Sequence, residues 1–478
     1  MLPDPASLSE TKRNLLEKYL RGDLRQVSGA PAITRRIRES APPLSLAQHQ
    51  VWLRSQMTAG MPPLYNESIT IYRKGPLDVP ALQQSLKEMI RRHEAWRTTF
   101  DLVKAEPVQI IHPIPEAIQL RIVDLSGAPE STRETEALRL ATEEATPAFD
   151  LKRGPLVRAT LVTLADQDHR LFLTMHQTIV DGISVYDIIP SELATLYEAF
   201  SNNKPSPLSD LPFQFGDFAL WQRSWLQGEV LATQISYWRK QLKGDLPVLQ
   251  WPGDRARPAF QTYRGSIKPF TLAQALTQAV RELSQREGVS LFATLMAAFT
   301  ALLYRYTGQE DIIIGTLAPT GRKRSEFQRL LGYFLNPVAL RSNLSGDPTF
   351  RELLSRSQAV TLEALSHDDV PLEDLAQELR LESDPSRHPF FQVVISLAPD
   401  VPDLPQGWDM TPMDVESGGA RWDLYFELND RPNGLIGRAQ YNPDLFDMAT
   451  IVKLIEDFQA LLEAATSNPQ LRLLELPL

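Results

Sequence analysis

Cysteine is absent from all 478 residues. Disulfides, thiolate-bound metals and cysteine nucleophiles are thereby excluded. No uncharged apolar run approaches the ~18 residues that a membrane-spanning helix requires. The opening MLPDPASLSETKRN lacks the basic start and apolar stretch of a secretory signal. A cytoplasmic location is the expectation that goes with these absences. The net charge is −10 and no long basic run occurs, which argues against extended binding to nucleic acid or anionic lipid. The short basic stretch Gly321-Arg-Lys-Arg324 reads as a solvated loop. HExxH spacing and a P-loop are also missing, so no metal, nucleotide or bound cofactor is expected.

The composition that remains, 43% hydrophobic and 23% charged, is that of an ordinary globular chain. Its length exceeds one core and points to two or three domains. Residues 7–22 read as a helix opened by Ser7 and Glu10 at capping-box spacing and stopped at Gly22, an appendage ahead of the main fold. Amphipathic helices are expected at 81–93 and 131–146, the second opened by Ser131 and Glu134, and strands at 156–164 and 171–175. The proline-rich stretch SNNKPSPLSDLP (201–212) marks a break. A helical region at 213–242 follows. Further helices are expected at 272–287, 292–306 and 449–465, with strands at 311–316, 392–398 and 424–429. The organisation expected is an N-terminal linker or docking segment (1–43), an N-terminal lobe (44–212) and a C-terminal lobe (213–478), with substrates between two α/β lobes.

One polar cluster stands out. Met175-His-Gln-Thr-Ile-Val-Asp-Gly-Ile-Ser184 follows an apolar strand and turns at Asp181-Gly182 into a helical segment. An isolated Asp-Gly is only a turn signal, and one His with one Asp in a turn is more often structural than catalytic. Other segments alter that weighting: Ser45–Trp52 (SLAQHQVW), Arg92–Phe100 (RHEAWRTTF), Phe215–Trp221 (FGDFALW), Leu331–Asn336 (LGYFLN), His367–Glu373 (HDDVPLE) and Asp384–Gln392 (DPSRHPFFQ). With His176–Gly182 they resemble, in order, the seven motifs of nonribosomal peptide synthetase condensation domains, a family related to chloramphenicol acetyltransferase. The resemblance covers roughly residues 44–478. Departures include Gln50 for a usual arginine, Phe215 for a tyrosine and Pro337 for a threonine.

The resemblance implies an α/β fold of two chloramphenicol acetyltransferase-like lobes forming a V with a central tunnel. It implies donor and acceptor carrier proteins as partners, each bringing its substrate on a phosphopantetheine arm, and neighbouring synthetase domains. The chain, from Met1 to Leu478, is then expected to be a piece of a larger synthetase. In the HHxxxDG motif the first histidine falls on His176 and the second, the family's base or amine-positioning group, on Gln177. Asp181 is implied to hold the loop, paired with Arg97. Gly182 and the following helix start lie beside the thioester, where helix-terminal N–H groups face a developing oxyanion. Ser184 and Asn336 are placed along the tunnel or at substrate.

Glutamine cannot act as a base near neutral pH, which forfeits a contribution of about 10²–10⁴-fold. It can still accept and donate hydrogen bonds. His176, its neighbour on a strand, points to the opposite face and does not replace the lost base. Impaired amide formation is therefore the leading expectation, and a non-catalytic platform binding carrier proteins or a tailoring enzyme is the alternative. Cyclodehydration is disfavoured by His176, because heterocyclisation relatives carry DxxxxD. Epimerisation and coenzyme A-dependent acyl transfer would also require the histidine absent at 177. Trp52, Trp96, Phe218 and Trp221 read as core, and Asp369 and Glu373 as loop and helix-start residues.

Overall fold

A computed structural model describes residues 31–37, 40–251, 253–382, 384–412 and 414–478. The expected leading helix at 7–22 lies outside the described residues. Two mixed sheets, each with helices packed on it, make two α/β lobes. The first sheet runs Trp408–Thr411, Asn66–Lys74, Asp168–His176, Val157–Ala165, Leu120–Asp124, antiparallel except for its last pair. The second runs Ser266–Thr271, Gly434–Tyr441, Leu424–Arg431, Val393–Ala398, Asp311–Ala318, Asn336–Asn343. Its two central pairings are parallel and the outer ones antiparallel.

Local sequence explains the elements that set the site. Asp168–His176 is buried along nearly its whole length, because helices cover one face and the lobe junction the other. The helix Leu291–Thr307 is apolar all round and forms the centre of the second lobe, with Phe292 through Tyr304 buried. Ser290 caps its start by accepting from the Ala293 amide, and Gly308, in the left-handed region at φ +69°, ends it. The expected helix at 131–146 forms as Glu130–Ala145, but not through Ser131. Pro129 precedes its first turn, and Glu134 pairs with Arg170 at 2.8 Å instead of capping. The expected helical region 213–242 divides into Phe215–Trp225 and Gly228–Gln241.

The lobes are not independent along the chain. Trp408–Thr411 belongs to the second half, yet it pairs with Asn66–Lys74 at the edge of the first sheet, Ile71 opposite Met410. Phe215 and Phe218 pack with Phe327 and Phe334 in an aromatic cluster, ring centroids of Phe218 and Phe334 being 4.6 Å apart. His93 accepts from the Leu331 amide at 3.4 Å, and Ser184 lies against the backbone of Gly332. Gly332 has no room for a side chain, since a Cβ there would stand 1.9 Å from the Phe215 ring. Segments far apart in sequence thus converge where the lobes meet.

Candidate functional site

The polar cluster begins where Asp168–His176 ends. A 3₁₀ turn, Gln177–Ile179, and extended Val180 carry the chain to Asp181, and a π-helical turn, Ser184–Ile188, leads into the helix Ile189–Ser201. Such turns recur at functional sites. His176 turns inward: its Nδ1 accepts from the Thr178 hydroxyl at 2.8 Å, and its ring packs on Tyr65 and Phe149. Burial pushes its imidazole down to about 3, so it is neutral at ordinary pH. It does not line the cavity at Gln177.

Asp181 is fully enclosed, and its cation is Arg322, not Arg97. Arg322 Nε and Nη2 grip the two carboxylate oxygens at 2.8 and 2.7 Å. Asp181 Oδ1 also accepts from the Ser184 amide and hydroxyl, both at 2.8 Å. Arg97 is held elsewhere in the first lobe, donating to the His112 carbonyl and lying 3.6 Å from Glu94. The Gly321–Arg324 stretch is consequently not a solvated loop. Arg322 is buried under the Phe334 ring, Lys323 pairs with Asp368, and Arg324 pairs with Glu326 at 2.8 Å.

Two further side chains are committed to structural hydrogen bonds. Ser184 is buried, with its hydroxyl spent on Asp181 and Arg322, so it faces no substrate. Its amide is likewise taken by Asp181 and is not free for an oxyanion. Asn336 donates to the carbonyls of Asp368 and Val370 at 2.6 and 2.9 Å, fixing that loop rather than lining the space at Gln177. Gly182 abuts Pro399 at the start of the helix, its virtual Cβ 3.5 Å from the proline ring.

Gln177 faces a cavity of about 30 Å³ walled by both lobes: Asn66, Glu67 and Ser68 on one side, Tyr425, Arg438 and Gln440 on the other. Its amide nitrogen donates to Glu67 Oε2 at 3.1 Å. Its carbonyl oxygen Oε1 is buried and has no hydrogen-bond partner. Behind it runs a charged chain. Arg438 reaches Glu67 Oε1 at 3.0 Å and Glu427 Oε2 at 2.8 Å, and the Tyr186 hydroxyl donates to Glu427 Oε1 at 3.1 Å. Burial, reinforced by Glu67, raises the Glu427 carboxyl above its usual range against the opposing pull of Arg438.

Glu67, Arg438, Glu427 and Arg322 escape a reading by motif. For Glu427 and Arg438 a signal exists: they stand directly opposite across the hairpin Leu424–Arg431/Gly434–Tyr441, charges set within apolar strands. Among the described residues no group of three or more His, Cys, Asp or Glu is placed to hold a metal, and no single helix is long and apolar enough to cross a membrane.

Residues 38–478 match the family described as Condensation domain. The chain is 40% identical over 481 aligned residues to one of the linear gramicidin synthase proteins of Brevibacillus parabrevis, covering 100% of this chain and 6% of that protein. It spans well under two thirds of the curated relatives it matches. The complex of the X-domain and OxyB from teicoplanin biosynthesis aligns with a TM-score of 0.79 at 29% identity, covering 95% of this chain and 99% of that one. The first condensation domain of the calcium-dependent antibiotic synthetase, with a substrate analogue, shares the fold at TM-score 0.80 and 22% identity, over 92% and 100%. With a match running nearly the whole length, this chain belongs to the condensation-domain family.

Proposed function

We propose that the domain forms an amide between a donor acyl or peptidyl thioester and an acceptor aminoacyl thioester, each presented by a carrier protein. Phosphopantetheine is here part of the substrates, and a cytosolic synthetase is the setting. Gln177 occupies the place of the second histidine of HHxxxDG. The acceptor nitrogen attacks the thioester carbonyl, a C–N bond forms, the C–S bond breaks, and the thiolate leaves with the proton the amine gives up. The unpartnered Gln177 Oε1, buried in a cavity that both lobes wall, is the observation that carries this reading. It can accept from the incoming amine but cannot take a proton from it. Rate then rests on positioning, which contributes up to about 7–11 kcal/mol, while the part due to a base is missing.

The test is Gln177→His with matched donor- and acceptor-loaded carriers, product being read by mass spectrometry. Glu67, now bonded to the Gln177 amide, is placed to orient an imidazole there. Amide yield should rise by up to about 10²–10⁴-fold, with carrier affinity unchanged. A second reading, a platform for carriers or a tailoring enzyme, is favoured by the likeness to an X-domain seen in complex with OxyB. Intact carrier binding with no product from either variant would establish that reading instead.

A further inference from the structure

A second cavity, of about 300 Å³, lies wholly within the first lobe and shares no wall residue with the one at Gln177. It opens where the helix Val79–Arg92 passes over the first sheet, and the segment 112–119 borders it. Its origin is a small side chain. Ala159 stands in register with Leu120 on one side and Leu173 on the other, and Leu86 and Ile90 of the helix leave the space above it unfilled. Interiors are otherwise close-packed. An apolar cavity of about 150 Å³ holds a benzene ring, so this one takes a body of about ten to twelve heavy atoms. That places it at the lower end of small-molecule sites.

The polar groups on the wall specify the other end of the ligand. Arg97 and Arg153 line the cavity and no aspartate or glutamate does, in a chain with 59 acidic residues. Arg97 is a fixed charge, held by the His112 carbonyl and Glu94. Arg153 is almost wholly exposed, and its ion pair with Asp150 is long, 3.7 Å, so its guanidinium can turn to a ligand. The Thr99 hydroxyl holds the exposed His112 ring at the rim, 2.7 Å from Nε2. Trp96, also on the wall, has its indole N–H buried without an acceptor. Such an unmade hydrogen bond is costly unless an oxygen completes it.

We propose that this cavity binds an aliphatic carboxylate of medium length, its chain against Leu86, Ile90, Leu156 and Leu173 and its anionic head toward Arg153. The two guanidiniums repel an amine and give a neutral head no advantage. No residue of the second lobe takes part in the wall, so the ligand enters free from solvent, not tethered through the lobe junction. The site is therefore independent of amide formation at Gln177.

The experiment titrates octanoate, which matches the space, and its neutral isostere octanamide into the full chain. The readout is the indole N–H spectrum, in which Trp96 is one of eight tryptophans and is assigned by its loss in Trp96→Phe. Octanoate should shift the Trp96 signal saturably and bind about three- to tenfold more tightly than octanamide. Added salt should narrow that ratio. Arg153→Gln should remove most of the preference without weakening octanamide. Ala159→Phe fills the space and should abolish binding of both, its remaining indole signals reporting that it is folded. Arg153→Gln, at the surface, keeps the test sound whether or not the core variant folds. No saturable shift at Trp96, equal affinity of the parent for both ligands, an undiminished preference in Arg153→Gln, or octanoate binding retained in folded Ala159→Phe would each overturn the assignment.

Discussion

Removing the Asp181 carboxylate should destabilise the protein through Arg322 and not through Arg97. The pair is wholly buried, and the guanidinium makes two hydrogen bonds to the carboxylate, one to the Ser184 hydroxyl at 3.0 Å and two to the carbonyls of Phe327 and Gln328 at 3.1 and 2.9 Å. In Asp181→Ala the last three bonds survive but the charge is stranded, a situation that costs about 3–5 kcal/mol. At about 2.1 cal/mol/K per residue, a chain of this size unfolds with an entropy of about 1 kcal/mol/K. The melting temperature should therefore fall by about 3–5 °C if the lobes unfold together. Urea titration of Asp181→Ala, Arg322→Ala and the double variant should give a coupling of about 2 kcal/mol or more. Arg97→Ala, which breaks the Glu94 pair and the bond to the His112 carbonyl, should show no coupling to Asp181. An Asp181→Ala protein that melts with its parent, or a coupling found at Arg97 in place of Arg322, would refute the assignment.

Other consequences are as direct. His176 is buried neutral with its imidazole pushed down to about 3, whereas in the unfolded chain it titrates near the usual value of about 6.5. Its contribution is fully present above about pH 6.5 and is lost as pH falls, at about 1.4 kcal/mol per pH unit down to the folded value. In urea midpoints measured from pH 7 to 4.5, His176→Gln should flatten that slope by about one proton; an unchanged slope would show the histidine to be solvated. Leu302, fully buried in the helix Leu291–Thr307, should lose about 2–5 kcal/mol on truncation to alanine, read as a lowered urea midpoint at constant m-value.

What could be read in advance follows from how far each interaction reaches along the chain. Leu291–Thr307 carries its own start, its own stop and an unbroken apolar surface, so its neighbours in sequence suffice to define it. The strands Asp168–His176 and Val393–Ala398 are legible for the same reason, being compact apolar runs between turns. Asn66–Lys74 (NESITIYRK) is not. Its polar residues find partners far along the chain, Asn66 at the Ala145 and Pro147 carbonyls and Ser68 at Thr174, and its pairing depends on Trp408–Thr411, a short strand in a proline-rich segment that no local pattern announces. At the site, Gln177 and Asp181 are visible because the turn that displays them is local. Their partners are not, because Glu67 and Arg438 lie 371 residues apart and meet only when the lobes close.

Arg322 shows why sequence favours the wrong partner for Asp181. Along the chain, Arg97 sits in a strong motif and Arg322 in a short basic run of the kind that usually faces water, so charge alone points to Arg97. Burial reverses the choice. Asp181 heads a helix inside the junction, and a carboxylate there needs a donor that arrives with its own flank covered. Arg97, closing the turn Glu94–Arg97, already spends its guanidinium on its own lobe. Arg322 comes from the opposite lobe under the Phe334 ring, with the Phe327 and Gln328 carbonyls satisfying one Nη. The same logic places Arg438 beside Glu67: in both cases the cation crosses from the second lobe to a carboxylate of the first. Closing the lobes therefore brings together charges that neither lobe could bury alone, which ties the geometry at Gln177 to the integrity of the junction.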